Sequence, residues 1–499
     1  MGVVSPVVTA REPINIVWFK RDFRLQDHEP LMRAIEDGLP VLLMAFLEPS
    51  LMEAPQSDNR HWRFVYQSVQ DMNDRLARVE AHLYLIHAEV LPTIEQIAER
   101  YEIKSIYSHA ETGIALTYER DKTVSRFCKD KGVPWHESPY AGVIRGIKKR
   151  NNWPKHWYGT MSSPTAEPPM ARLKGVQLPQ ELLEAIKPAQ IPSEITQVHP
   201  DFQQGGEGLA HQYLASFLSG RVSNYNKHIS KPLESRNSCS RLSTHLAWGN
   251  LSMRQVYQAA YTAKKESKQK RDLNSFMSRL RWHCHFIQKF EMMDRYETEN
   301  INPGYNDLRT EWDEERYIAW EEGRTGYPLI DACMRCVRAT GYLNFRMRSM
   351  VVSFLTHHLW LDWKRGADFL ASQFLDFEPG IHYAQFQMQA GTTGYNTVRI
   401  YNPQKQQKDN DPEGHFVREW VTELVAVSND LIIEPWNMTP MDQQMAHCTI
   451  GEDYPAPLVD IKATYRAASK ALWAKKKDPR VKTEARKILA KQNEEERAD

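Results

Sequence analysis

WEEGRTGYPLIDACMRCVRATGYLNFRMRSMVVSFLTHHLWLDW, residues 320–363, is the stretch on which the fold turns. Pro328 suits the first position of a helix, where its missing N–H costs nothing, and apolar residues then recur three and four apart. A second helix follows, on which Phe345, Arg348 and Val352 share one face. A cation on an otherwise apolar face needs a partner or an anionic ligand. Asp376 is a candidate partner; it opens DFEPGIHYAQFQMQAGTTGYNTVRIYNP, residues 376–403. Gly391 and Gly394 mark a loop where backbone can approach something bulky. The local reading is a helical pocket that holds a charge.

Upstream the pattern changes. From residue 14 to 138 short apolar runs alternate with amphipathic ones. INIVWF (14–19), VLLMAFL (41–47), HLYLIHA (82–88), SIYSHA (105–110) and VPWHES (133–138) predict strands. Helices are predicted over 29–37, 60–79, 91–101 and 116–131. Strands alternating with helices imply a doubly wound parallel sheet. Neither G-x-G-x-x-G nor G-x-x-x-x-G-K follows the first strand, which excludes a Rossmann dinucleotide fingerprint and a phosphate loop. HAETG (109–113) ends a predicted strand, where open α/β sheets bind ligands.

The fold class is therefore α/β plus all-α, with domains expected at 12–140 (α/β) and 205–440 (helical). A connector spans 141–204, rich in proline at 164, 168, 169, 179, 188, 192 and 200. Its basic-aromatic run IKKRNNWPKHWYGT (147–160) reads as a solvated surface turn or as a nucleic-acid contact. A C-terminal extension, 441–499, carries the basic tail KALWAKKKDPRVKTEARKILAK (470–491), read as a solvated terminal helix or as one attracting phosphates.

A chain of 499 residues exceeds a single ordinary domain. Net charge is +1, so any basic surface is local. Six cysteines without regular spacing argue against a disulfide framework, and Cys333 and Cys336, inside a helical run, read as packing residues. His283 and His285, two apart on a helix, do not converge on a metal. MGVVSPVVTAREP (1–13) lacks a basic region followed by an apolar core, and no apolar run reaches membrane-span length. The expectation is a soluble, cytoplasmic protein.

Several ordered motifs resemble the photolyase/cryptochrome family of FAD-dependent blue-light flavoproteins: WFKRDFRLQDHEPL (18–31), CSRLS (239–243), EGRTGYPLIDACMR (322–335), the Arg346/Arg348 pair, LDW (361–363) and RIYNP (399–403). The resemblance implies FAD in the helical domain. It places Tyr225, Cys239, Ser240, Arg241, Leu242 and Ser243 at the flavin phosphates, though capping of a helix would explain the serines equally well. It places Phe345, Arg348, Asp376, Glu378 and His382 around the flavin ring. It also implies a second, antenna chromophore of deazaflavin or methenyltetrahydrofolate type beside the sheet.

Departures from the family pattern stand at the centre of this pocket. Trp363 matches the middle member of the family's tryptophan chain, but Phe386-Gln387-Met388 replaces the W-Q-W that opens with its proximal member. Phenylalanine is hard to oxidise, so rerouting through Trp360, Trp363, Tyr383 or Tyr395 is expected, with Trp312 near the surface position. His382 faces flavin N5, where an imidazole titrating near neutrality would exchange a proton. The lesion contacts read Arg279, Trp282, Arg346, Met388 and Lys405, and only Trp282 keeps the pattern of cyclobutane-dimer photolyases; the paired histidines of six-four enzymes are replaced by Asn344-Phe345 and Ser349. The resemblance implies a light-driven photolyase-like lyase that repairs a pyrimidine photoproduct in UV-damaged DNA. The alternative is a cryptochrome-type photoreceptor that answers to a protein partner.

Overall fold

The computed structural model describes residues 11–187 and 189–492. Residues 1–10, most of the stretch examined for a leader, lie outside the described residues, as do Pro188 and the end of the basic extension. Five parallel strands, β1 (Glu12–Phe19), β2 (Val41–Phe46), β3 (Leu83–Ile86), β4 (Tyr101–His109) and β5 (Trp135–Ser138), form one sheet in the order β3-β2-β1-β4-β5. The central strand is apolar along nearly its whole length because both faces are covered. Ile14, Ile16 and Trp18 enter one apolar layer, while Val17 and Phe19 enter the other. Helices α1 (Glu29–Glu36), α2 (Asn59–Leu76), α3 (Val90–Arg100) and α4 (Ala115–Lys131) supply the crossovers.

The basic-aromatic run of the connector is a surface turn only up to Asn152. Helix α5 (Trp153–Ser162) buries Trp153 and Trp157, and Arg150 is fully buried with its guanidinium 4.7 Å from the Trp153 ring centroid. Further on, the connector lies back along the sheet, where the Val41 amide donates to the Lys174 carbonyl at 2.8 Å. The Lys148, Lys149, Lys155 and Tyr158 side chains of the run remain exposed.

The helical region is built around α6 (Lys270–Glu291), α7 (Pro328–Thr340), α8 (Phe345–Ser353), α9 (Trp363–Gln373) and α10 (Pro379–Ala390). Helices α6, α8 and α9 all pack on α10. Cys333 and Cys336 are buried in this core, on α7. A π-turn, Phe354–His358, continues α8 toward Trp363.

The basic tail is not a solvated helix. It forms α11 (Ile461–Lys476) and α12 (Pro479–Gln492), and Ile461 and Ile488 enter the same apolar core. Gly394, at φ +79°, makes room for this: a Cβ there would lie 2.4 Å from Asn302 Nδ2 and 3.3 Å from Val481 Cγ1. The bulky neighbour of that glycine loop is thus partly the chain's own C-terminal helix. Among the described residues no helix is long and apolar enough to cross a membrane.

Candidate functional site

The Asn344 side chain caps α8 by accepting the Met347 amide at 3.0 Å, which fixes the helix start and aims Arg348. Arg348 donates through Nε to the Leu343 carbonyl (2.8 Å) and through Nη2 to Asp376 Oδ2 (2.9 Å), and lies 3.9 Å from the Phe374 ring centroid. The other Asp376 oxygen, Oδ1, is buried without a partner. A buried acceptor left unmade costs about 1–3 kcal/mol, so this oxygen seeks a donor.

A second unsatisfied group stands nearby. Arg241 adopts the left-handed conformation (φ +58°), spreads its guanidinium 3.8 Å from the Tyr342 ring centroid, and leaves Nε buried and unpartnered. Strain of this kind costs about 1–3 kcal/mol and collects at binding sites. The serines beside it are not spent on capping: helix Ser243–Ala247 has Leu242 at its cap position and no side-chain cap. Tyr225 and Cys239 are buried against the same group of residues, and burial pushes the Cys239 thiol up to about 11. The Tyr342 phenol is within electrostatic reach of Arg241, Cys239, Arg348 and Asp376, so these residues surround one place. His283 adds a third orphan, a buried Nδ1. Burial pushes that imidazole down to about 4, against the pull of Asp376.

His382 does not titrate near neutrality. Burial pushes it down to about 4, and Arg348 adds to the effect. Its Nε2–H donates to the Ala367 carbonyl at 2.8 Å, leaving Nδ1 as an acceptor on a neutral ring. Glu378 faces the α/β domain, 4.0 Å from Arg21, and burial pushes its carboxyl up to about 7.

Trp363, fully buried, donates through Nε1 to Asn300 (2.7 Å) and has ring centroids 6.5 Å from Tyr383 and 6.4 Å from Phe386. His382 joins the group at 5.4 Å from Tyr383 and 5.6 Å from Phe386. The Tyr383 hydroxyl donates to Asp368 Oδ1 (3.1 Å) and accepts from Gln56 Nε2 (2.9 Å), which also donates to Asp368 (3.1 Å). The other two candidates have different surroundings. Trp360, left-handed at φ +59°, has Arg309 4.8 Å from its ring centroid, and Tyr395 donates to Gln492 at 3.3 Å.

Two family models match the chain: "DNA photolyase" over residues 15–145 and "FAD binding domain of DNA photolyase" over residues 276–474. A deoxyribodipyrimidine photo-lyase of Alkalihalophilus pseudofirmus is 27% identical, over 90% of this chain and 95% of that protein. A cryptochrome DASH of Synechocystis is 28% identical, over 92% and 97%. The crystal structure of a class III photolyase from Agrobacterium tumefaciens superposes with a TM-score of 0.79 at 25% identity, covering 95% of this chain and all of that one. The chain belongs to the photolyase/cryptochrome family.

Its FAD-binding domain passes a physical test of fit. An unspent guanidinium N–H suits a phosphate, an unspent carboxylate oxygen suits a ring N–H, and a neutral imidazole nitrogen suits either role. Flavin adenine dinucleotide carries both kinds of group. Among these residues, Tyr342 escaped the sequence reading, and His283 enters it only as a rejected metal ligand. Tyr342 sits inside the stretch 320–363, where the signal was an aromatic residue directly after a helix-ending glycine.

The residues read as lesion contacts are partly exposed apolar and basic side chains. Trp282 on α6 is 43% exposed and Phe345 at the start of α8 is 50% exposed. Arg279 is exposed on α6, Arg346 donates to Ser230 (3.0 Å), Met388 is partly buried on α10, and Lys405 pairs loosely with Asp409 at 3.7 Å.

The C-terminal edge of the sheet is different. Arg120 is held by Glu48 (2.6 Å), Glu111 (2.5 Å) and Asp121 (2.9 Å), and Lys20 by Asp121 (2.7 Å). Asp22 accepts from His28 (2.9 Å) and His109 (2.6 Å); burial works against its charge, but the two histidines hold the carboxyl well below its usual range. His28 Nδ1 accepts the Leu31 amide, so its Nε2 carries a proton and makes a hydrogen bond rather than a metal bond. The cavity beside His109 measures about 20 Å³, room for about one water.

Proposed function

We propose that the chain holds FAD in the cleft of Arg241, Tyr342, Arg348 and Asp376 and acts as a light-driven DNA photolyase on a pyrimidine photoproduct. Bound reduced FAD supplies the electron on excitation. Ser240, Arg241 and Ser243 hold the phosphates, with Tyr225, Cys239 and Leu242 packed behind them. The Arg348–Asp376 pair sets a cation against the ring, where negative charge collects. His382 stays neutral and accepts through Nδ1. A base flipped from the duplex would lie between Trp282, Phe345 and Met388, with Arg279, Arg346 and Lys405 on the backbone.

The observation that carries this reading is the set of unspent buried polar atoms on Arg241, Asp376 and His283, together with two large apolar side chains, Trp282 and Phe345, left half exposed. Isolated exposed aromatics are ordinary, but a flipped base stacked on them would account for both. Duplex DNA is the partner, and the cytoplasm the place of work. The test mixes purified protein, a thiol reductant and oligonucleotides carrying either cyclobutane or six-four photoproducts under blue light. Light-dependent restoration of one of them is expected, with binding that weakens steeply as salt rises. No restoration of either would overturn the repair reading and favour a photoreceptor, a second reading supported by the replaced contacts at Arg279, Phe345 and Met388.

A further inference from the structure

Three sets of aromatic side chains in the helical region are candidate donors, two of them beside a cation and one beside a carboxylate. Trp360 has the buried Arg309 guanidinium over its ring; Arg309 is held by the Thr356 (2.6 Å) and Ala390 (2.9 Å) carbonyls. Trp312 and Tyr317 have Arg365 5.4 and 4.1 Å from their ring centroids, its charge shared with Glu314. Oxidising a ring creates positive charge on it, and a cation at such distances opposes that. Tyr383 has a carboxylate instead. Its hydroxyl donates to Asp368 Oδ1 at 3.1 Å, and Gln56, from the α/β domain, holds both oxygens in place.

Resting on the flavin reading above, we infer that Tyr383 is the chain's redox-active electron donor and Asp368 its proton acceptor, in place of the missing proximal tryptophan. The oxidant is the light-excited, oxidised flavin ring. One electron leaves the Tyr383 phenol for that ring. The O–H bond breaks and its proton moves to Asp368 Oδ1, so the pair ends as a neutral phenoxyl radical and a neutral carboxylic acid. A soluble thiol returns one electron, and the proton moves back to the phenolate oxygen.

The proton step is what makes a buried phenol usable. An oxidised phenol that keeps its proton is a buried cation and a strong acid, and Tyr383 is fully buried. A carboxylate within hydrogen-bond reach removes that charge without reorganisation. Burial raises the Asp368 carboxyl's affinity for a proton, which favours the transfer. Phe386 has no proton to lose. The ring order His382, Tyr383, Trp363, at centroid spacings of 5.4 and 6.5 Å, places the donor next to the position assigned to flavin N5.

The alternative is that Gln56, Asp368 and Tyr383 only tie the two domains together. Asp368→Asn separates the two, because an asparagine oxygen still accepts from the phenol but is no longer a base. Flavin-loaded full-length protein is flashed with blue light and followed by transient absorption and by electron paramagnetic resonance with ring-deuterated tyrosine. The expected result is a tyrosyl radical in the parent, none in Tyr383→Phe, and a yield reduced about 100-fold in Asp368→Asn at unchanged thermal midpoint and flavin content. An undiminished tyrosyl signal in Tyr383→Phe, equal yields in Asp368→Asn and parent, or tryptophan radicals alone would overturn the inference. A flash-generated ruthenium(III) tris-bipyridyl oxidant repeats the comparison without flavin. If the parent loads no flavin, the flavin reading fails by itself, while the ruthenium difference between parent and Tyr383→Phe still decides on the donor.

Discussion

The C-terminal edge of the sheet and the cleft of the helical region are both crowded with buried polar groups, and they differ in how those groups are settled. At the edge, Arg120 and Lys20 meet Glu48, Glu111 and Asp121, and Asp22 meets two histidines. In the cleft, Arg241 Nε, Asp376 Oδ1 and His283 Nδ1 are buried with nothing to bind. Polar groups satisfied by the chain contribute to folding; polar groups left over favour a ligand. The same elements of sequence, basic and acidic residues on apolar ground, thus yield a structural clamp in one region and a binding site in the other.

The largest effect that separates the two is a charge deletion. Arg120→Met at the edge strands Glu48 and Glu111 and should cost about 3–5 kcal/mol, whether or not flavin is present. Urea unfolding of flavin-free protein measures it. Asp376→Asn in the cleft should cost the flavin-free protein far less, because one of its oxygens is already unpaired. Equal losses at both places would erase the distinction.

Arg241→Met should do the reverse of the edge variant. Its removal relieves an orphaned N–H and leaves the flavin-free unfolding midpoint near that of the parent. Flavin affinity should fall by about 2–3 kcal/mol, roughly 30–150-fold, the usual worth of a hydrogen bond to a charged group. Equilibrium titration of FAD into the apoprotein checks it.

Acid should act on both regions alike. Burial holds His109 at the edge and His283 in the cleft at about 4, below the ordinary value of about 6.5. Between these values the unfolded chain binds more protons than the folded one, so stability falls as pH falls. By pH 5 each group should remove about 2 kcal/mol of flavin-free stability relative to pH 7. Urea midpoints at the two pH values test this, and flat midpoints would mean both imidazoles are already solvated.

Much of this was legible in the sequence, for reasons that differ by region. Strands β1 and β2 were placed within two residues because a run covered on both faces is apolar throughout. Strand β4 begins at Tyr101 rather than 105: the predicted helix takes in Tyr101 and leaves 102–104 unassigned, because the polar Glu102 and Lys104 interrupt the apolar run. The tail hid its docking surface in the opposite way: its lysines are visible in sequence, whereas the partners of Val481 and Ile488 lie far away along the chain. Arg348 and Asp376 were paired correctly because a cation on an apolar helix demands an anion. The Gln56–Asp368–Tyr383 triangle was not legible, since it joins three segments from two regions and none carries a local signature.

The smallest expected effect is also the one that bears most directly on the cleft. A histidine facing flavin N5 suggests a proton switch at physiological pH, but His382 has already given its Nε2–H to the Ala367 carbonyl. Protonating Nδ1 would place a second cation beside Arg348 in a largely desolvated site. The flavin spectrum of the parent should therefore show no transition between about pH 5.5 and 8 that His382→Asn removes. A transition near pH 6.5 in the parent, absent from the variant, would show that the flavin itself opens the site to water or supplies an acceptor. In that case bound flavin would change the protonation of its own cleft, and the contrast with the closed edge of the sheet would be sharper still.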